Sequence, residues 1–138
     1  MKLTRRHTLM MAFGSAVAAI MPFKAFAAVE DEIQAFTGGA EMGSEGITLI
    51  APEIAENGNT VPIEVNAPGA EAIIVFAAGN PTPAVATFNF GPLAADQFAS
   101  TRIRLAGTQD VVAIARMSDG SFVQARQEVK VTIGGCGG

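Results

Sequence analysis

From residue 46 onward the chain is written in short apolar runs separated by turn residues. Residues 47–50 form the first run, closed by Pro52 and by the turn dipeptide Asn57-Gly58. Val61-Pro62-Ile63-Glu64-Val65-Asn66 alternates strictly, which predicts a strand with Val61, Ile63 and Val65 on one face. Pro62 has no N–H to give to a ladder, so it predicts an edge position for that strand. Residues 72–78, centred on Ile73-Ile74-Val75-Phe76, are apolar on both faces, the pattern of a strand buried in the middle of a sheet. After Gly79-Asn80-Pro81-Thr82-Pro83 the pattern resumes over residues 85–90, with Phe88 and Phe90 on one face. Residues 98–105 set Ile103 and Leu105 against Arg102 and Arg104. Residues 111–117 end in Ser118-Asp119-Gly120, a hairpin-type turn. The last run, 122–133, puts Val123, Ala125, Val129, Val131 and Ile133 opposite Gln124, Arg126, Glu128, Lys130 and Thr132. Gln127 is the polar break in its apolar face and marks a position for a bulge.

About seven strands with regular turn signals predict an all-β fold, an immunoglobulin-like antiparallel β-sandwich over residues 46–133. The Cys…Trp…Cys core of antibody domains is missing, so the expectation concerns architecture only. Residues 28–45 read as a leader containing a short N-terminal helix over 30–36. Its first turn is acidic (Glu30, Asp31, Glu32), and Gly38-Gly39 stop it. Before that, Met1-Lys2-Leu3-Thr4-Arg5-Arg6 is basic, residues 8–21 are apolar but short for a bilayer span, and Ala25-Phe26-Ala27 fits a small-x-small cleavage site. Residues 1–27 thus read as a removable export signal. The twin arginine in Thr4-Arg5-Arg6-His7-Thr8-Leu9-Met10 gives it Tat character, with Thr8 and Met10 where Phe and Lys are commoner.

The signal changes the charge picture. It removes Lys2, Arg5, Arg6 and Lys24 but none of the thirteen acids, leaving five basic residues against thirteen and a mature charge of −8. Such a chain avoids nucleic acid and anionic membranes and suits basic partners. The five remaining cations, Arg102, Arg104, Arg116, Arg126 and Lys130, read as solvated strand faces, with support of an anionic cargo by one or two of them as the alternative. The one histidine, His7, also leaves with the signal, so the mature chain has no imidazole, and its single cysteine is Cys136. That argues against zinc, copper and other metal sites built from several His or Cys ligands. It also removes any Cys–His or Ser–His nucleophile pair. No cofactor is expected.

Cys136 stands third from the end, in Gly134-Gly135-Cys136-Gly137-Gly138. Four glycines around one thiol, directly after the last strand, predict a flexible arm over residues 134–138. At about 3.3–3.6 Å per residue, three residues past Ile133 reach roughly 10 Å, enough to cross the lip of a cleft. A lone thiol sent to an oxidising compartment points to intermolecular pairing or to a reactive sulfur. Two readings follow. One is a covalent carrier that offers Cys136 to other enzymes; the other is an exported structural or binding module that uses Cys136 for an intermolecular disulfide. With no residue nearby to lower its pKa from about 8.5, the thiol would be activated by a partner's cleft.

The Gly-Gly-Cys-Gly-Gly ending, the Tat-like signal, Asn80-Pro81-Thr82-Pro83 with Val85-Ala86-Thr87-Phe88 after it, and the Asp119-Gly120 turn together resemble the SoxY family of periplasmic sulfur-oxidation (Sox) systems. The resemblance spans essentially the whole chain. It implies a non-enzymatic subunit that carries sulfur intermediates on Cys136 during thiosulfate oxidation in the periplasm. It also implies heterodimerisation with a SoxZ-like β-sandwich subunit. The same likeness implies loading by the haem protein SoxAX, sulfate release by the hydrolase SoxB, and, where present, oxidation of the remaining sulfur by a SoxCD-like enzyme.

Overall fold

The alternation of residues 61–66 and the doubly apolar run after it settle into two stacked sheets with a helix on one outer face. The computed structural model describes residues 23–134. In chain order the elements are helix α1 (Phe23–Thr37) and strands β1 (Met42–Gly43), β2 (Thr48–Ile50), β3 (Ile54–Ala55), β4 (Val61–Asn66), β5 (Ala70–Ala77), β6 (Ala84–Asn89), β7 (Phe98–Ile103), β8 (Gln109–Met117) and β9 (Phe122–Val131). The larger sheet runs β1-β9-β8-β5-β6, with β3 also paired to β9; the smaller runs β2-β4-β7. All long ladders are antiparallel, as the turn spacing predicts.

Between the sheets lies the main core. Val61, Ile63 and Val65 of β4 face Ile73, Val75 and Val111 of the larger sheet, all at most 1% exposed. The other face of β5 and β8 is covered as well, because Val29 and Ile33 of α1 pack with Phe76, Val112 and Ile114. These two helix residues, four apart, form the buried stripe of an amphipathic helix. Phe36 meets Phe122 edge-on, with centroids 5.7 Å apart. Arg116, 3.5 Å from Glu71, lies over the Phe36 ring. Coverage on both faces explains why residues 72–78 carry no polar alternation.

Four expectations need correction. The helix spans fifteen residues rather than 30–36, so Glu30, Asp31 and Glu32 lie along its middle and its first turn holds no acid. The alanine-rich approach to residue 30 has high helix propensity and extends it upstream. Its end is where Gly38-Gly39 predict: both have positive φ (66 and 81), and the Gly38 N–H donates to the Gln34 carbonyl at 2.8 Å. Second, β4 is the central strand of its sheet, not an edge. Pro62 is tolerated because β2 pairs only with residues 64–66, so at Pro62 the strand has a neighbour on the β7 side alone. Third, the β8–β9 register is unbroken through Val111↔Gln127, so no bulge sits there. The Gln127 amide reaches out to donate to the Ala51 carbonyl, which satisfies a polar group on an otherwise apolar face. Fourth, β1 and β3 are additional, two-residue parallel pairings to the two ends of β9.

The Asp119-Gly120 turn forms as read. The Met117 N–H donates to Ser121 at 2.8 Å, and Gly120 takes φ 86, the left-handed residue of a three-residue hairpin loop. The Ser121 hydroxyl and N–H both donate to Asp119, which holds its carboxyl below the ordinary 3.8. A lowered folded-state pKa means that this contribution is full above the ordinary value and fades as pH falls through the folded one.

Phe76 joins the helix to the sheet with no exposed surface. Phe76→Ala is expected to lower unfolding free energy by about 3–5 kcal/mol, read from the urea midpoint. A loss below about 1 kcal/mol would mean that the helix does not close this face.

Candidate functional site

The end of β9 is where the fold meets the terminal cysteine motif. A chain's last residues usually fray, but here the backbone is tied on both sides up to Ile133. The Lys130 and Thr132 amides donate to the carbonyls of Glu53 (2.9 Å) and Ala55 (3.1 Å). Between them, the Val131 amide turns the other way, to the Thr108 hydroxyl at 3.0 Å. The Thr132 hydroxyl donates to the Glu56 carbonyl at 3.0 Å. Finally the Gly58 N–H donates to the Ile133 carbonyl at 2.7 Å, while the Gly58 carbonyl accepts from Leu105 N–H at 2.8 Å. Gly58, in the Asn57-Gly58 turn, is therefore the bridge between the end of β9 and the segment that follows β7.

Gly134 comes next. A Cβ placed on it would overlap the carbonyl oxygen of Ala106. Glycine is needed here for close backbone approach, a different use from conformational freedom. Ala106 belongs to the 104–108 loop between β7 and β8, and that loop is held by two buried amides. Asn80 is 2% exposed and Gln109 8%. The Asn80 side chain donates to the Arg104 carbonyl (2.8 Å) and accepts from the Ala106 N–H (2.9 Å) and from the Gln109 amide (2.9 Å). Gln109 also donates to the Gly107 carbonyl (3.0 Å) and accepts from Gly79 N–H (2.8 Å). Every polar atom of the two side chains has a partner, as buried amides require.

Of the residues the sequence singles out, the structure fixes Gly134; Gly135, Cys136, Gly137 and Gly138 lie outside the described residues, as do residues 1–22 of the expected 1–27 signal. Covalent geometry places the Cys136 Cα within about 7 Å of Gly134. The Asn80 side chain is built into the seat of the terminal motif. Nothing local in the sequence marks this, since its partners lie 24 to 29 residues away. The signal that was available is a pair of amides bracketed by glycine, at Gly79-Asn80 and near Gly107, beside apolar runs.

The cations divide. Arg116 pairs with Glu71 at 3.5 Å and Arg126 with Asp110 at 3.2 Å. Among the described residues Arg102, Arg104 and Lys130 have no carboxylate partner. Arg102 and Arg104 line a shallow groove of about 300 Å³ with Thr82 and Val85. Among the described residues no cluster of His, Cys, Asp or Glu is placed to hold a metal ion, and no helix is long and apolar enough to cross a membrane.

Residues 33–136 match the family model described as "Sulfur oxidation protein SoxY", so the match runs to the cysteine itself. The chain is similar to the structure of the sulfur carrier protein SoxY from Chlorobium limicola f thiosulfatophilum. The two are 38% identical with a TM-score of 0.67, and the alignment covers 78% of this chain and 98% of that one. It is also similar to superoxide reductase (neelaredoxin) from Ignicoccus hospitalis, at 19% identity and a TM-score of 0.56, over 64% of this chain and 81% of that one. The second likeness is one of fold alone. No curated protein matches the chain.

The paired amides make a specific demand on stability. Gln109→Leu removes the acceptor for Gly79 N–H and one donor to Asn80. It should cost about 1–3 kcal/mol, the penalty for leaving buried polar groups unmatched, measured by urea denaturation. An unchanged midpoint would show that the network does not hold the loop.

Proposed function

Because the chain belongs to the SoxY family of sulfur oxidation proteins, we propose that it carries sulfur intermediates covalently on Cys136 and presents them to partner enzymes during thiosulfate oxidation. The observation that supports this reading is how close to the terminal cysteine the body's hydrogen bonding reaches. Among the described residues the hydrogen bonds that tie down the end of β9 reach Ile133, and the only thiol of the mature chain follows three residues later. A sulfur held so close to the end of a rigid body, with two glycines on each side, can enter a narrow cleft that the body cannot.

The chemistry balances with the work done elsewhere. The Cys136 thiolate and thiosulfate join through a new S–S bond, giving a cysteine-linked thiosulfonate. Two electrons leave to an oxidant, the role that family likeness assigns to the haem protein SoxAX. Water then cleaves the terminal S–S bond. Sulfate departs with two protons released, and a persulfide stays on the cysteine; this is the step assigned to SoxB. Further oxidation of that persulfide belongs to a SoxCD-like enzyme. Throughout, this chain contributes the sulfur nucleophile, its tether and a docking body. A free thiol near pKa 8.5 is mostly protonated at neutral pH, so the cleft of the loading enzyme supplies the ionisation. The mature charge of −8 favours encounter with basic rims.

The twin-arginine leader supports export to the periplasm as a folded assembly with a SoxZ-like subunit. Protein recovered from that compartment is expected to begin at Ala28.

Intact mass of chain isolated from thiosulfate-grown cells should show sulfur or thiosulfonate adducts on Cys136. Cys136→Ser should reduce thiosulfate-dependent respiration to background, at least about 100-fold below wild type. If the serine variant still supported oxidation and lost only a reducible oligomer, Cys136 would be a disulfide anchor and the carrier reading would fall. Gly135→Val and Gly137→Val are expected to slow partner-dependent loading several-fold with no change in thermal midpoint, because they alter passage through a cleft and no packing of the body.

A further inference from the structure

We infer that Asn80 is a positioning residue that aims the C-terminal arm, by fixing the 104–107 backbone on which Gly134 rests. The inference deepens the carrier reading and rests on it for its purpose, though not for its geometry.

Asn80 is anchored before it acts. Its N–H donates to the Ala77 carbonyl at 3.1 Å, and the Ala77 N–H donates to the Pro83 carbonyl at 2.8 Å, so the 77–83 turn is pinned to the end of β5. Pro81 and Pro83 fix φ within that turn. From this rigid base the side chain makes three hydrogen bonds, to Arg104, Ala106 and Gln109, with 2% of its surface exposed. The Ala106 N–H is held by Asn80, and the Ala106 carbonyl is the atom that a Cβ at residue 134 would strike. Gly58 closes the ring, binding Leu105 on one side and Ile133 on the other. A continuous run of held groups thus leads from the end of β5 to Gly134.

The tether is short enough for direction to matter. Two residues carry the Cys136 Cα at most about 7 Å from Gly134, so a displacement of the root by a few ångströms, or a turn in its heading, moves the thiol by a large part of its whole reach. Effective delivery depends on how often the sulfur occupies the productive approach. A long linker would need no such seat; a two-residue one does. Gly134 therefore differs from the glycines after it: it serves contact with Ala106, and they serve the partner's cleft.

The test measures heading directly in the full mature chain. One spin label is placed on Cys136 and a second on a cysteine introduced at exposed Glu64, in the centre of the smaller sheet. Pulsed electron resonance then gives the distance distribution between them. Asn80→Ala should widen the distribution about two-fold or more. Gly134→Ala, which removes none of the described hydrogen bonds, should shift its centre by about 2–4 Å, the scale of one residue's advance. The rate of Cys136 modification by a small maleimide should stay unchanged in both, because a small reagent needs no aim. Loading by the thiosulfate-oxidising partner should show KM for the carrier raised about five-fold or more with kcat retained. Insertion of two glycines after Gly134 should restore loading of the Asn80→Ala chain, which a mere loss of stability would not allow. If Asn80→Ala does not fold, Gly134→Ala carries the same measurement. Unchanged width and centre in the variants that fold would overturn the proposal and leave the carrier reading standing. Altered distances in a chain that never gains sulfur mass would defeat the carrier reading and leave the seat standing.

Discussion

The hydrogen bond from Gly58 N–H to the Ile133 carbonyl ties the end of the last strand to the body of this protein. Without it, the two residues after β9 would have only the Thr132 contacts to the 55–56 backbone, and the end of the last strand would fray as termini do. With it, the backbone is tied as far as Ile133, and the same glycine links sideways through Leu105 to the 104–108 loop. The sandwich is arranged to make that anchoring possible. β9 pairs along its length with β8, while β3 takes its far side near Lys130 and Val131, so the strand that ends at the arm is held from both flanks at the end that matters.

The remainder of the molecule can be understood as mass behind that point. Helix α1 closes the outer face of the larger sheet, which lets β5 and β8 be apolar on both sides and buries them on both faces. Asn80 hangs from the end of β5, and Gln109 opens β8, so the two amides that hold the 104–108 loop are both rooted in the doubly covered strands. Rigidity therefore passes from the core to the exit of the chain through buried hydrogen bonds. Buried amides are costly unless fully matched, and here the matching is complete. For the carrier role proposed above, a backbone held as far as Gly134 is the useful arrangement.

How far the sequence discloses this depends on the range of the interactions. Period-two alternation and turn dipeptides expose the seven longer strands, since each signal lies within the strand it predicts. The two-residue pairings β1 and β3 leave no period to read, and they join β9 from about 75 to 80 residues away. Pro62 misleads because a strand can be central in its sheet and still lack a neighbour at one residue. Gln127 misleads because a polar residue in an apolar face can be satisfied by reaching to Ala51 as well as by breaking the ladder. Cys136 and its glycines are conspicuous by composition alone. Their seat is not, because Asn80, Ala106, Gly58 and Gly134 are assembled from four separate loops and ends, and only the fold brings them together.

The central claim is that sulfur travels on this chain and is transformed by others. Its most direct test is rapid-quench intact mass spectrometry of the mature chain during a single turnover with the loading and hydrolysing enzymes reconstituted. The account requires the mass to rise by one thiosulfonate group on the Cys136 peptide, then to fall to a single added sulfur in step with sulfate release. Thiosulfate consumed and sulfate released at full rate while the chain's mass never changes would contradict it.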